Sequence, residues 1–272
     1  MPSANTAASP GNAGVKYVNL GCGSRFHKEW TNVDMVSAGP EVIQHNIIGG
    51  LPFRDATVDV IYHSHVLEHL PKSKAPGFIQ ECYRVLKPGG IIRVVVPDLE
   101  QIAREYIRQL DRAVNMEAGA SDNYDWMMLE LLDQCVRNET GGEMGKYLKQ
   151  ENIPNEAFIY QRVGNEAKAI REAFKSNPHR KTGIKRKVRS LLHKVPFMHH
   201  YLDGTYRSQG EIHQWMYDRF SLSRLLTEAG FTRVKVQTAF ESYISNWSSY
   251  GLDSKDGTVH KPDSLFIEAI KP

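Results

Sequence analysis

The chain has 272 residues, 41% hydrophobic, 24% charged and 10% aromatic, which describes one large globular domain, or one with a substantial insertion, and excludes a disordered or collagen-like chain. Its formal charge of +3 hides an asymmetry: between residues 175 and 202 lie eight Lys/Arg and no Asp or Glu, so the rest carries 26 basic against 31 acidic side chains. No apolar run nears the ~18 residues of a membrane-spanning helix.

Residues 1–14 are small and polar, without the basic start or apolar run of a secretory signal, and read as a disordered tail. Residues 15–20 form a short apolar run that stops at Gly21-Cys22-Gly23, a strand meeting a glycine loop. Short strands follow at 31–34 and 42–45, then a Pro52-containing loop at 51–57 and a β-branched, aromatic strand at 58–63. Phe78, Cys82, Val85 and Leu86 fall at helical spacing over 74–86, and Pro88-Gly89-Gly90 ends that helix. Residues 91–96 make a near-continuous β-branched run, broken only by Arg93, as in strands covered on both faces. A helix over 98–114, capped by Asp98, completes the first part.

Residues 115–210 are mostly helical with glycine and proline breaks. A helix then carries Leu222, Leu225, Leu226 and Ala229 and closes at Gly230, followed by strands at 232–238 and 264–270. No convincing crossover helix joins those two strands, so the pattern places them antiparallel at the sheet edge. Alternating strands and helices predict an α/β fold with a doubly wound, mostly parallel sheet. The division is a tail (1–14), a cofactor-binding core (15–114), an inserted helical cap (115–210) and the closing helix and strands of the core (211–272).

Ligands of such sheets sit at the carboxyl ends of the strands. Phe26 stands where a dinucleotide loop needs its third glycine, which disfavours close pyrophosphate binding. Asp34, eleven residues beyond Gly23, ends the second strand, where a carboxylate can accept both hydroxyls of a ribose. It equally suits a turn.

Tyr17-Val18-Asn19-Leu20-Gly21-Cys22-Gly23, Asn32-Val33-Asp34, Leu51-Pro52-Phe53, Val58-Asp59-Val60-Ile61, His65-Val66-Leu67-Glu68-His69-Leu70 and Glu81-Cys82-Tyr83-Arg84-Val85-Leu86-Lys87-Pro88-Gly89-Gly90 occur in that order. Together they resemble the class I S-adenosylmethionine-dependent methyltransferases of the type 11 family, continuously from residue 15 to about 100. Leu226-Thr227-Glu228-Ala229-Gly230-Phe231 is similar to the marker of the family's closing part. The resemblance implies a seven-stranded Rossmann-like sheet and S-adenosylmethionine as cofactor. It implies that Leu20, Gly21, Cys22 and Gly23 approach the methionine moiety, that Asp34 binds the ribose and that Ile47 packs on the adenine. Asn46 stands where the family usually has an aspartate near the adenine, which removes a charge. Ser64 and His65 would lie beside the methyl group.

Methyl transfer to a hydroxyl needs a base, whereas a carboxylate acceptor does not. His65 is the best-placed candidate. His69 is the second, although it and Glu68 serve equally well to brace the loop by hydrogen bonds. His213, Trp215, Tyr217 and Asp218 form a polar-aromatic cluster that suits a sugar ring or, alternatively, packing and a helix cap. The adjacent pair His199-His200 cannot face one ion from a regular element, so no metal is assigned, and the cysteines Cys22, Cys82 and Cys135 suggest neither disulfides nor zinc but a reducing cytoplasm.

Ile184, Val188, Leu191, Leu192 and Val195 share one face of a basic helix. This helix either packs on its own domain, makes peripheral contact with the inner face of the membrane or a lipid-linked substrate through 180–194, or, third, binds nucleic acid, against which the acidic remainder argues. The combined expectation is a cytoplasmic methyltransferase that O-methylates a small or glycan/lipid-linked saccharide acceptor, in polysaccharide biosynthesis. The alternatives are a non-catalytic cofactor-binding protein and a nicotinamide-dependent sugar epimerase or reductase, for which only the spacing Tyr83…Lys87 speaks.

Overall fold

The computed structural model describes residues 15–37, 39–176, 195 and 198–272. The expected tail, the membrane-contact segment 180–194 and nearly all of the basic helix lie outside the described residues.

The first strands form where apolar and β-branched residues cluster: β1 (Tyr17–Leu20), β2 (Thr31–Asp34), β3 (Val42–Gln44) and β4 (Val58–Ser64). Helix α1 (Ala75–Val85) leads directly into β5 (Leu86–Pro97). That strand starts five residues earlier than the pattern suggests. The pairing jumps from Val58–Leu86 to Val60–Ile91, so Pro88-Gly89-Gly90 lies in an irregular stretch where the N–H that proline lacks is not required. Helix α2 (Leu99–Val114) is capped as expected, the Asp98 side chain accepting from Gln101 N–H at 3.2 Å.

Helices α3 (Ala120–Val136), α4 (Gly142–Tyr147), α5 (Glu156–Val163), α6 (Asn165–Ser176) and α7 (Met198–Arg207) follow. Helices α3 to α6 share an apolar cluster with α2 built on Ile102, Trp126, Met127 and Ile159. Helix α8 (Arg219–Glu228) begins with a capping box in which Asp218 and Ser221 exchange side-chain and backbone hydrogen bonds. Strand β6 (Thr232–Gln237), the hairpin strands β7 (Ser254–Lys255) and β8 (Thr258–Val259), and β9 (Ser264–Ile270) complete the chain.

The main sheet has seven strands in the order β3-β2-β1-β4-β5-β9-β6. Pairing is parallel from β3 through β5, and β9 runs antiparallel to both β5 and β6. The two closing strands pair antiparallel at this edge of the sheet, as expected, with β6 outermost. β9 is buried along nearly its whole length and needs neighbours on both sides, whereas β6 is largely exposed.

Alternation along the strands sorts side chains to two faces. Val94, Val96, Leu265 and Ile267 join Phe78, Ile79 and Cys82 of α1 and Leu222 and Leu226 of α8. Tyr62, Val95 and Phe266 meet Trp30, Ile244, Trp247 and Leu252 on the other face. Here irregular chain between β6 and β7 provides the cover, pinned by Trp247 Nε1–H donating to the Ala239 carbonyl at 3.1 Å. No helix among the described residues is long and apolar enough to cross a membrane.

Candidate active site

The carboxyl ends of β1, β2 and β4 converge on one glycine loop. Gly21 has φ +63°, and a Cβ there would lie 2.3 Å from Val66 Cγ2, so the close approach of the two loops excludes any side chain. Gly23 N–H donates to Asp34 Oδ2 at 2.8 Å, and Val36 N–H donates to Oδ1 at 3.0 Å. Each oxygen keeps a lone-pair site for a further donor. Burial, then the Asp34 charge, push the Cys22 thiol up to about 11, so this side chain is a protonated packing group rather than a nucleophile.

A cavity of about 620 Å³ opens beside the loop. Of the sequence-derived candidates it is lined by Gly21, Cys22, Gly23, Ser64 and His65. Leu20 is buried in the core and has only backbone to offer. Asp34 does not line the cavity itself but is hydrogen-bonded to Gly23, which does. Asn46 and Ile47 lie at a short helical turn (Ile47–Gly49) beyond β3, where Asn46 Oδ1 accepts from Ile48 N–H at 3.0 Å and Ile47 packs against the main core.

His65 follows the last residue of β4 with φ +54°, a left-handed conformation uncommon for a side chain of this size. Its Nε2 lies 2.9 Å from Ser264 Oγ and its Nδ1 3.1 Å from Glu68 Oε1. Burial first, and the Lys261 cation second, lower its pKa, which favours a neutral ring at pH 7. His69 sits at the end of the turn Leu67–His69; its Nδ1 lies 3.0 Å from the Ile212 carbonyl and its ring 4.9 Å from that of His213. It does not line the cavity around His65.

Glu68 is fully buried. Burial opposes its ionisation, but the adjoining His65 ring, with His69 and His213, outweighs that and takes the carboxyl down to about 2. Besides Ser24 and Arg25 of the loop itself, the cavity draws on residues that sequence reasoning missed: Asn165, Glu166 and Ala169 from α6, and His260 and Lys261 from the approach to β9. Lys261 Nζ pairs with Glu166 Oε2 at 3.1 Å, spanning the cavity's two distant contributors and holding the Glu166 pKa down. Nothing in their local sequence marks them, because tertiary packing alone brings them to the loop.

Tyr83 and Lys87, the spacing that spoke for a nicotinamide enzyme, do not line this cavity. Tyr83 packs edge-on against Phe231 with centroids 5.1 Å apart, and Lys87 Nζ binds both oxygens of Asp59 at 2.8 and 2.9 Å. Their geometry is that of scaffold.

Residues 18–94, the stretch holding the glycine loop, Asp34 and His65, match the family described as "Methyltransferase domain". That stretch, rather more than a quarter of the chain, is what is similar to a methyltransferase domain. A probable S-adenosylmethionine-dependent methyltransferase of Mycolicibacterium smegmatis is 43% identical over 56 residues, 21% of this chain and 21% of that protein. The matched segment thus spans about a fifth of the curated relative's length. Among solved structures, a Thermotoga maritima S-adenosylmethionine-dependent methyltransferase described as a possible histamine N-methyltransferase is 14% identical, with 94% of this chain and 82% of that chain covered and a TM-score of 0.40. An Archaeoglobus fulgidus S-adenosylmethionine-dependent methyltransferase is 13% identical, with 95% and 87% covered and a TM-score of 0.40. Glu166, His260 and Lys261 fall outside the segment matched as the methyltransferase domain, yet they complete the cavity beside its glycine loop.

Proposed function

We propose that the protein transfers a methyl group from S-adenosylmethionine to a hydroxyl of a small or glycan/lipid-linked saccharide. The observation that carries the cofactor assignment is the Gly23–Asp34 hydrogen bond, which sets a half-buried carboxylate at the rim of a glycine-lined cavity. The residues fit the cofactor: Asp34 has capacity for the ribose hydroxyls, and the loop backbone of Leu20, Gly21, Cys22 and Gly23 is free of side chains at both glycines. Asn46 and Ile47 take the adenine end. With Asn46 Oδ1 already capping the turn, its amide nitrogen is the group left to donate. When bound, the cofactor supplies a methyl carbon already activated by its sulfonium.

The chain's own part is alignment, exclusion of water and movement of one proton. Ser64 and His65 face the methyl end. His65, neutral and positioned by Ser264 and Glu68, accepts the hydroxyl proton as the acceptor oxygen attacks. Glu68 and His69 hold that loop, and His69 has a second, catalytic reading should the acceptor reach the neighbouring cavity. That second cavity, of about 580 Å³, is lined by Leu99, His213, Trp215 and Met216, and its aromatic and polar mixture suits a sugar ring. The saccharide assignment carries with it a role in cytoplasmic surface-polysaccharide assembly.

The test is incubation with methyl-labelled S-adenosylmethionine and free sugars, nucleotide sugars and lipid-linked glycans. Label stable to mild alkali is the expected outcome of ether formation. Alkali-labile label would mark a methyl ester and overturn the hydroxyl assignment.

A further inference from the structure

Glu68, His69 and His213 come together from two separated parts of the chain. The turn Leu67–His69 is stapled to the segment before α8: Gln214 and Trp215 N–H donate to the Glu68 carbonyl at 2.7 and 3.2 Å, and Gln214 Nε2 donates to the His69 carbonyl at 2.9 Å. His213 N–H donates to the Gln134 carbonyl at 2.9 Å. These contacts fix where the three side chains meet.

Those side chains are under-used as a packing cluster. Glu68 has no exposed surface; His65 Nδ1 stands 3.1 Å from its Oε1, and its Oε2 has no hydrogen-bond partner. No Lys or Arg among the described residues pairs with it. His213 is buried and its Nδ1 has no partner. A buried carboxylate oxygen and a buried imidazole nitrogen without partners are costly unless something else satisfies them. One atom from each residue can be chosen so that all three lie within 4.8 Å of one another. Bonds to a metal of about 2.0–2.2 Å require a tighter set, so binding would draw the three side chains together. His69 is already oriented: Nδ1–H donating to the Ile212 carbonyl leaves Nε2, 4.0 Å from Glu68 Oε1, as the lone-pair nitrogen.

We infer that Glu68, His69 and His213 bind one divalent transition-metal ion, beside His65 and at the edge of the second cavity. Two imidazoles and one carboxylate select zinc, iron, manganese or cobalt over calcium or magnesium, and leave coordination positions open. Open positions are the mark of a metal that handles substrate rather than one that only staples the fold. On the methyltransferase reading, such an ion would hold and acidify the acceptor hydroxyl; the binding itself does not depend on that reading.

The test uses cobalt(II) as probe on the full chain stripped with chelator. Wild type is expected to take up one ion per chain with visible d–d absorption, and X-ray absorption of that species should show imidazole nitrogens. Glu68→Gln and His213→Gln should each lose the band and at least tenfold in affinity while retaining the wild-type circular dichroism spectrum. A double variant at the surface pair, His199→Gln with His200→Gln, should bind as wild type does. Absence of stoichiometric cobalt binding by wild type, an oxygen-only coordination shell, or loss of binding in the His199/His200 variant would overturn the site. Titration with S-adenosylhomocysteine on the same samples separates a failed metal site from a failed cofactor reading.

Discussion

Arg93 and Glu268 stand directly opposite each other on β5 and β9, both without exposed side-chain surface, with Nη1 2.7 Å from Oε1. The same guanidinium reaches Asp253 at 2.7 Å and donates to the Glu241 and Thr238 carbonyls, while its Cζ lies 4.5 Å from the Trp247 ring centre. One buried cation therefore ties the irregular cover of the sheet to its central strands. Removing one partner of a buried ionic cluster is costly because the others remain buried and uncompensated. Arg93→Met should lower stability by about 3–5 kcal/mol, read by urea unfolding. A loss below 1 kcal/mol would show that the cover is held by its aromatic residues alone.

At Gly21 the constraint is steric. A methyl group would meet Val66 Cγ2 at 2.3 Å on a backbone already at φ +63°. Gly21→Ala should destabilise by about 1–3 kcal/mol, the usual range for overpacking, and should weaken cofactor binding in the same step. Adding Val66→Ala should recover part of the stability but not the binding.

The strands and helices from 15 to 114 were legible because each carries its own local signal: β-branched runs, the Asp98 cap, and the Pro88-Gly89-Gly90 break. The place of β9 between β5 and β6 was not, since its pattern shows that both faces are buried but not which strands flank it. Arg93 looked like an interruption of an apolar run and is instead the anchor of the sheet's second face. Within the site, Gly21, Gly23 and Asp34 lie close in sequence and could be read together. Glu166 and Lys261 could not, because each reaches the region from a different element far along the chain.

A pH dependence follows from Glu81, which accepts from Leu51 N–H at 3.0 Å and pairs with Arg84 at 2.8 Å. The Arg84 hydrogen bond leads in holding its carboxyl down to about 2, against 4.5 ordinarily. A carboxylate with a depressed folded-state pKa contributes stability above the ordinary value and loses it as pH falls toward the folded one. The stability gap between wild type and Glu81→Gln should therefore be full at pH 6 and shrink between pH 4.5 and 2, read as urea midpoints. A gap that does not change over that window would remove Glu81 from the account.

His65 calls for a substitution that respects its backbone. Asparagine tolerates φ near +54° better than most residues, so His65→Asn tests the imidazole rather than the fold. The turnover number should fall by about 10²–10⁴, the range for loss of a general base, with affinity for S-adenosylhomocysteine within a fewfold of wild type. Equal losses in turnover and cofactor affinity would make His65 a binding residue instead.

The most direct measurement is calorimetric titration of wild type and Asp34→Ala with S-adenosylmethionine, S-adenosylhomocysteine and NAD in parallel. Wild type should bind the first two and not the third, and Asp34→Ala should weaken binding by about 1.5–3 kcal/mol, the worth of hydrogen bonds to a charged group, or roughly 10- to 150-fold. Binding of NAD alone, or unchanged S-adenosylhomocysteine affinity in Asp34→Ala, would contradict the placement of the cofactor at the Gly21–Gly23 loop.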